Sequence, residues 1–273
     1  VQKCNIGFRR VEIKDALLLI NGQPVIFKGA NRHEISARGG YLVTKEEMEE
    51  DVKIMKSLNL NAVRTSHYPN DPYWYHLCDI YGLYVIDEAN VESHGMGYDD
   101  KSLARDPKFR DAHLQRNMRM VKRDFNHPSV VIWSMGNEAG HGMNFVACYD
   151  SIKAYDSSRP VHYERAIDYA DPSNTRHSDI YCPMYFHPIS CEKYLTLGFD
   201  FPLIQCEFAH SMGNSMGGLK EYMDLVRKYP QYQGGFIWDF VDQSIIRFEP
   251  DGRATFSYGG SYNKFDPSDG NFN

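Results

Sequence analysis

Val130-Val131-Ile132-Trp133-Ser134-Met135-Gly136-Asn137-Glu138 opens with four apolar residues and closes on an amide and a carboxylic acid. A short run rich in β-branched and aromatic side chains, bounded by turn residues, reads as a buried strand. The same form recurs on both sides of it. Upstream lie Val25-Ile26-Phe27, Ala62-Val63-Arg64 and Leu83 to Ile86; downstream lie Val161-His162-Tyr163, Ile180-Tyr181-Cys182, Leu203-Ile204-Gln205 and Gly235-Phe236-Ile237, making eight runs in all. Helical patterns separate most of them. Thr44 and Glu47 form a capping box ahead of Met48, Val52, Met55 and Leu58 at helical spacing. Asp71-Pro72 opens a second helix, a third runs from about Pro107 to Asn126 before Pro128, and others fit residues 143 to 155 and 217 to 229. No helix is legible between the fifth and sixth runs or between the sixth and seventh. Repeated βα units of this number predict a (β/α)8 TIM barrel, an α/β fold closed by eight parallel strands. An open doubly wound sheet would carry a Gly-rich phosphate turn after an early strand, and none is present.

The bulk numbers agree with one barrel. The chain has 273 residues, close to the roughly 250 of a typical barrel. Its net charge of −6 gives no reason to expect nucleic acid or an anionic membrane as a partner, and no apolar run reaches the roughly 18 residues of a membrane span. The six cysteines (Cys4, Cys78, Cys148, Cys182, Cys191, Cys206) show no C-x-x-C pair and read as reduced core thiols; Cys182 and Cys191 are the only two spaced for a local bridge. The chain begins at Val1 in mid-pattern, so it reads as a single domain excised from a longer multidomain chain. Residues 1–16 would be the tail of a preceding β-sandwich domain or linker, and 17–273 the barrel with its C-terminal edge truncated. A missing signal peptide therefore leaves the compartment open, cytoplasm or periplasm alike.

In a barrel the site lies at the C-terminal ends of the strands. Seven of the eight runs end in polar groups: Asn31-Arg32-His33-Glu34, Arg64 to Tyr68, Asp87 to His94, Ser134 to Glu138, Met184-Tyr185, Glu207 to His210, and Trp238-Asp239. Glu138 after the fourth run and Glu207 after the seventh fall on facing sides of the pocket. A retaining glycosidase needs one carboxylic acid to protonate the leaving oxygen and one carboxylate to attack the anomeric carbon, about 5–5.5 Å apart. Either glutamate alone could be a buried salt-bridge partner; the pair at these two ends points to the catalytic arrangement.

Val131 to Gly142 resembles the acid/base segment of the large bacterial β-galactosidases of glycoside hydrolase family 2, and Cys206-Glu207-Phe208-Ala209-His210-Ser211-Met212-Gly213-Asn214-Ser215 resembles their nucleophile segment. The likeness runs from about Leu17 to Phe272 and includes Arg64 to Asn70 and Asp87 to Met96. It implies a retaining hydrolase of terminal β-D-galactosides, with Glu138 as acid/base and Glu207 as nucleophile. It further implies that Asn137 binds the sugar 2-hydroxyl, that Tyr185 touches the nucleophile, and that His33 and His67 stabilise the transition state. His210 would reach the 6-hydroxyl side and Trp238 would pack on the apolar face of the sugar. Glu92, His94 and Glu138 would hold one magnesium ion. The resemblance also implies a sodium ion, for which Phe272 supplies one ligand, an asparagine beyond Asn273 another, and an aspartate of an N-terminal domain a third contact shared with the 4-hydroxyl. Flanking β-sandwich domains and a cis peptide at Trp238-Asp239 are implied as well. The chain departs from the family at Phe208, where tyrosine is common, and in a shorter stretch between the sixth and seventh strands. Two other readings compete: another family 2 activity, β-glucuronidase or β-mannosidase, and a non-catalytic carbohydrate-binding barrel.

Overall fold

The computed structural model describes residues 5–167 and 177–257. Phe272 and Cys4 lie outside them. In chain order the strands are β1 (Val11–Lys14), β2 (Leu17–Ile20), β3 (Gln23–Pro24), β4 (Phe27–Asn31), β5 (Ala62–Arg64), β6 (Tyr84–Glu88), β7 (Val130–Ser134), β8 (Val161–His162), β9 (Leu203–Phe208), β10 (Tyr232–Ile237), β11 (Ile245–Phe248) and β12 (Ala254–Ser257). The helices are α1 (Lys45–Ser57), α2 (Pro72–Tyr81), α3 (Arg110–Asp124), α4 (Met143–Tyr155), α5 (Pro188–Thr196) and α6 (Leu219–Lys228).

Seven strands form one parallel sheet in the order β8-β7-β6-β5-β4-β10-β9. The pairing of β4 with β10 joins the first strand of the barrel to the last. The remaining gap, between β8 and β9, is filled by the run around Ile180-Tyr181-Cys182. That run is not the full strand the sequence predicts: it makes isolated parallel bridges, Tyr181 to Leu203 and Met184 to Glu207, and Asp179 N–H donates to Val161 O at 2.8 Å. The fold is a TIM barrel closed at this seam by isolated bridges rather than by a continuous ladder. Other elements start or stop a few residues from their predicted places. The first strand lies at Phe27–Asn31 instead of Val25–Phe27, and a 3-10 turn (Pro107–Phe109) precedes α3.

Strand alternation divides the core. Phe27, Ala62, Ile86, Ile132, Ile204 and Phe236 point into the lumen, which Leu18 and Ile20 of β2 plug from below. Gly29 belongs to this packing, because a Cβ there would lie 2.3 Å from the Phe236 ring. Val63, Val85, Val130 and Trp133 point outward against α1 to α4, and Tyr181, Leu203 and Tyr232 pack with α5 and α6. Burial of these apolar faces is what drives the barrel together. The hairpin β1–β2 crosses the expected boundary at residue 16, pairing Lys14 with Leu17, and Gln233 anchors it by accepting from Leu18 N–H at 2.6 Å. Cys182 and Cys191 are free thiols, as are the other described cysteines, so the local bridge is not formed. Among the described residues no helix is long and apolar enough to cross a membrane.

Candidate active site

Parallel strands end on one edge, so the polar residues at the ends of β4, β5, β6, β7 and β9 are neighbours by construction. Register makes Asn31 the partner of Arg64, and Glu88 the partner of Ser134. Arg64 is the hub. Its guanidinium donates to Glu88 Oε2 at 2.8 Å, Asn31 Oδ1 at 2.8 Å, Glu207 Oε1 at 2.8 Å and Asn137 Oδ1 at 2.7 Å. Only 1% of it is exposed, and an arginine is buried this deeply only when paired with carboxylates and fully hydrogen-bonded.

Glu207 lies where β9 bulges. Gly235 pairs with Gln205 but Ile237 pairs with Phe208, so β9 has one residue more than β10 across the same step. A bulge of this kind re-aims a side chain, and here the Glu207 carboxylate meets Arg64 on one oxygen and the Tyr185 hydroxyl on the other, the latter at 2.7 Å. Tyr185 is placed by its own backbone, whose N–H donates to Glu207 O at 2.8 Å. Burial and the neighbouring Glu207 charge push the Tyr185 hydroxyl well up from the usual phenol range.

Glu138 follows β7 through Gly136, whose φ of +147° and close approach to Val91 O exclude a side chain. This allows Asn137 N–H to reach Val91 O at 2.9 Å. Glu138 itself has φ +40°. Its carboxylate Oε2 is 2.7 Å from His94 Nδ1, and Glu92, His94 and Glu138 bring one ligand atom each within 4.8 Å of one another. Two carboxylates and an imidazole this close could hold a divalent cation, with water completing its shell.

The predicted sugar-contact residues gather beside Glu207. The His67 ring stacks on Trp238 with centroids 5.1 Å apart and planes 6° from parallel, and His33 stands edge-on to both. Glu88 accepts from His67 Nδ1 at 2.8 Å, and the other ring nitrogen, Nε2, lies 3.5 Å from Asn137 Nδ2 and 3.9 Å from Glu207 Oε1. Burial, with His67 and Arg64 adding to it, pushes the His33 imidazole down to about 3. Burial would raise the Glu88 carboxyl, but Arg64 and His67 outweigh it and hold the group at about 2. His210 stands edge-on to Tyr185 at 6.0 Å and is held by Ser215. Trp238 donates its indole N–H to Met212 Sδ at 2.9 Å, and the peptide that follows it is cis, as is Ser66-His67. Every predicted site residue within the described chain is at this end of the barrel.

Sequence reasoning named Arg64, Asn31 and Glu88 only as parts of strand-end motifs. The signal for a role was present: a charged residue at the end of an apolar strand has to find a partner in the lumen.

The sequence profile of glycosyl hydrolases family 2, TIM barrel domain, matches residues 11–273, and the chain belongs to that family. It is 48% identical over 280 residues to a β-galactosidase of Pectobacterium atrosepticum, an alignment covering 98% of this chain and 26% of that protein. The chain thus spans about a quarter of the length of this curated relative. Among solved structures, a β-glucuronidase from Ruminococcus gnavus superposes with TM-score 0.73 at 25% identity, covering 87% of this chain and 47% of that one. A β-D-glucuronidase from Dictyoglomus thermophilum gives TM-score 0.73 at 23% identity over 91% of this chain and 49% of that one. The two structural likenesses concern the fold.

Proposed function

We propose that this barrel is the catalytic core of a retaining glycosidase that removes terminal non-reducing β-D-galactosyl groups. The observation that carries the reading is the seat of Glu207: a buried carboxylate, oriented on both oxygens by Arg64 and Tyr185, in a network that reaches Asn137 and so the residue next to it, Glu138. In the first step a Glu207 oxygen attacks the anomeric carbon while Glu138 gives its proton to the departing glycosidic oxygen. In the second, Glu138 takes a proton from water, the water oxygen bonds to the anomeric carbon, and the Glu207 ester opens. Arg64 and Tyr185 keep the attacking oxygen in line, which is a proximity contribution. In this reading Asn137 receives the 2-hydroxyl, and His33, His67, His210 and Trp238 receive the rest of the sugar.

Galactose is favoured by the 48% identity to a β-galactosidase and by the Gly140-His141-Gly142 and Ala209 to Asn214 segments. Magnesium is the ion proposed for Glu92, His94 and Glu138; when bound, its charge would set the proton affinity of Glu138. Chelation of the full-length enzyme, followed by return of magnesium, tests that role separately. Flanking domains and a sodium ion would complete recognition of the sugar. A panel of nitrophenyl glycosides assayed on the full-length enzyme tests the specificity: the galactoside should be the best substrate, and preference for the glucuronide or mannoside would overturn it.

A further inference from the structure

Resting on the acid/base reading of Glu138, we propose that Glu164 is a positioning residue for that glutamate, fixing its backbone from the end of β8 through a buried side-chain acceptor. Glu164 is 2% exposed, touches neither Glu207 nor the histidine and tryptophan cluster in any bond described above, and has no part in the two steps. Its Oε1 accepts the backbone N–H of Glu138 at 3.0 Å and Arg165 Nε at 3.2 Å, and its Oε2 accepts the Arg165 N–H at 3.0 Å.

The bond matters because of where the Glu138 backbone lies. Asn137, Glu138 and Ala139 have left the sheet, and their N–H groups need acceptors in a buried setting. Asn137 uses Val91 O. Glu138 uses Glu164, and Ala139 uses the Tyr163 hydroxyl at 3.1 Å, which in turn donates to Gly140 O at 2.6 Å. Tyr163-Glu164 therefore grips the segment 138–140 at three points. A φ of +40° at a non-glycine residue persists only where its surroundings over-determine it, and this grip is such a surrounding. The same turn reaches the far side of Glu138: Arg165 lies 3.8 Å above the Tyr98 ring, and Tyr98 stacks on His94, the contact of the Glu138 carboxylate.

Removing the acceptor should let Glu138 drift while leaving Glu207 in place. The consequence is selective. Protonation of a poor leaving group and activation of water would suffer, whereas attack on a substrate with a good leaving group would not. In the full-length enzyme, Glu164→Ala should lower kcat on dinitrophenyl β-galactoside at least tenfold. Added azide should restore it at least fivefold and yield β-galactosyl azide: azide nitrogen bonds to the anomeric carbon, the bond to Glu207 breaks, and no base is needed. Glu164→Gln, which keeps a carbonyl oxygen for the Glu138 N–H, should stay within threefold of wild type and ignore azide. Glu164→Asp, which keeps a carboxyl group but withdraws it from the Glu138 N–H, should behave like the alanine variant and replaces it if that variant does not fold. A loss in the alanine or aspartate variant that azide does not relieve, a kcat within twofold of wild type, or equal losses for Gln and Ala would each overturn the inference. Glu138→Gly is the control: if it too fails to respond to azide, the acid/base reading of Glu138 falls, and the positioning role falls with it.

Discussion

Arg64 Nη1 and Glu207 Oε1 are 2.8 Å apart with 1% and 5% of their side chains exposed. The guanidinium also neutralises Glu88, so its removal would strand two buried carboxylates at once. Breaking a buried pair in this way costs roughly 3–5 kcal/mol. Arg64→Ala should therefore lose about that much stability in a denaturant titration, besides losing activity. A loss below about 1 kcal/mol would show that the hub does not hold the barrel mouth together.

His162 sets part of the acid sensitivity. Burial, helped by Arg64, pushes its imidazole down to about 3 from 6.5. Between those values the unfolded chain binds a proton that the folded protein refuses, so the stability this residue allows is lost as pH falls through the window. The slope is about 1.4 kcal/mol per pH unit for one such histidine. His162→Gln should flatten the fall in denaturant midpoint between pH 7.5 and pH 5 relative to wild type. An unchanged slope would place the acid sensitivity elsewhere.

Tyr185 donates to the Glu207 oxygen that Arg64 does not hold. Loss of one hydrogen bond to a charged group costs about 1.5–3 kcal/mol, which is roughly a tenfold to 150-fold drop in rate if the bond acts in the transition state. Tyr185→Phe should show that drop in kcat with an unchanged melting temperature. A variant that loses stability and keeps its kcat would make the hydroxyl a structural group.

The barrel and its two glutamates were legible because strand ends carry both signals at once: an apolar run and then a charge. Glu138 and Glu207 each follow such a run. The seam at Ile180-Tyr181-Cys182 was read as a full strand because its apolar side chains do point into the core; what is missing is the backbone ladder, which side-chain pattern does not report. α5 went unseen because Pro188 to Thr196 is nine residues long with no side-chain cap, too short for a helical period to show. The first strand was placed early because Gly29-Ala30-Asn31 has little apolar surface, yet the lumen needs a small residue beneath Phe236 and an amide beside Arg64. Arg64, Asn31 and Glu88 act through one another, and a network of that kind exists only once the strands are in register.

The barrel alone should fold, since its core is its own, but sugar recognition should be incomplete. If flanking domains supply two or three hydrogen bonds to the substrate or its sodium ion, each costing about 1.5–3 kcal/mol when lost, residues 1–273 should be on the order of a thousandfold or more slower than the full-length enzyme. Comparable kcat/KM on nitrophenyl β-galactoside would show that the barrel holds the whole site.

The central claim is that Glu207 is the nucleophile, and a trapped ester tests it most directly. A 2-deoxy-2-fluoro-β-galactosyl fluoride should inactivate the full-length enzyme, because the fluorine slows both steps and the good leaving group favours the first. Peptide mass spectrometry should then find one fluorogalactosyl group, attached to Glu207. An adduct on Glu138 or Glu88, or turnover with no adduct at all, would contradict the account.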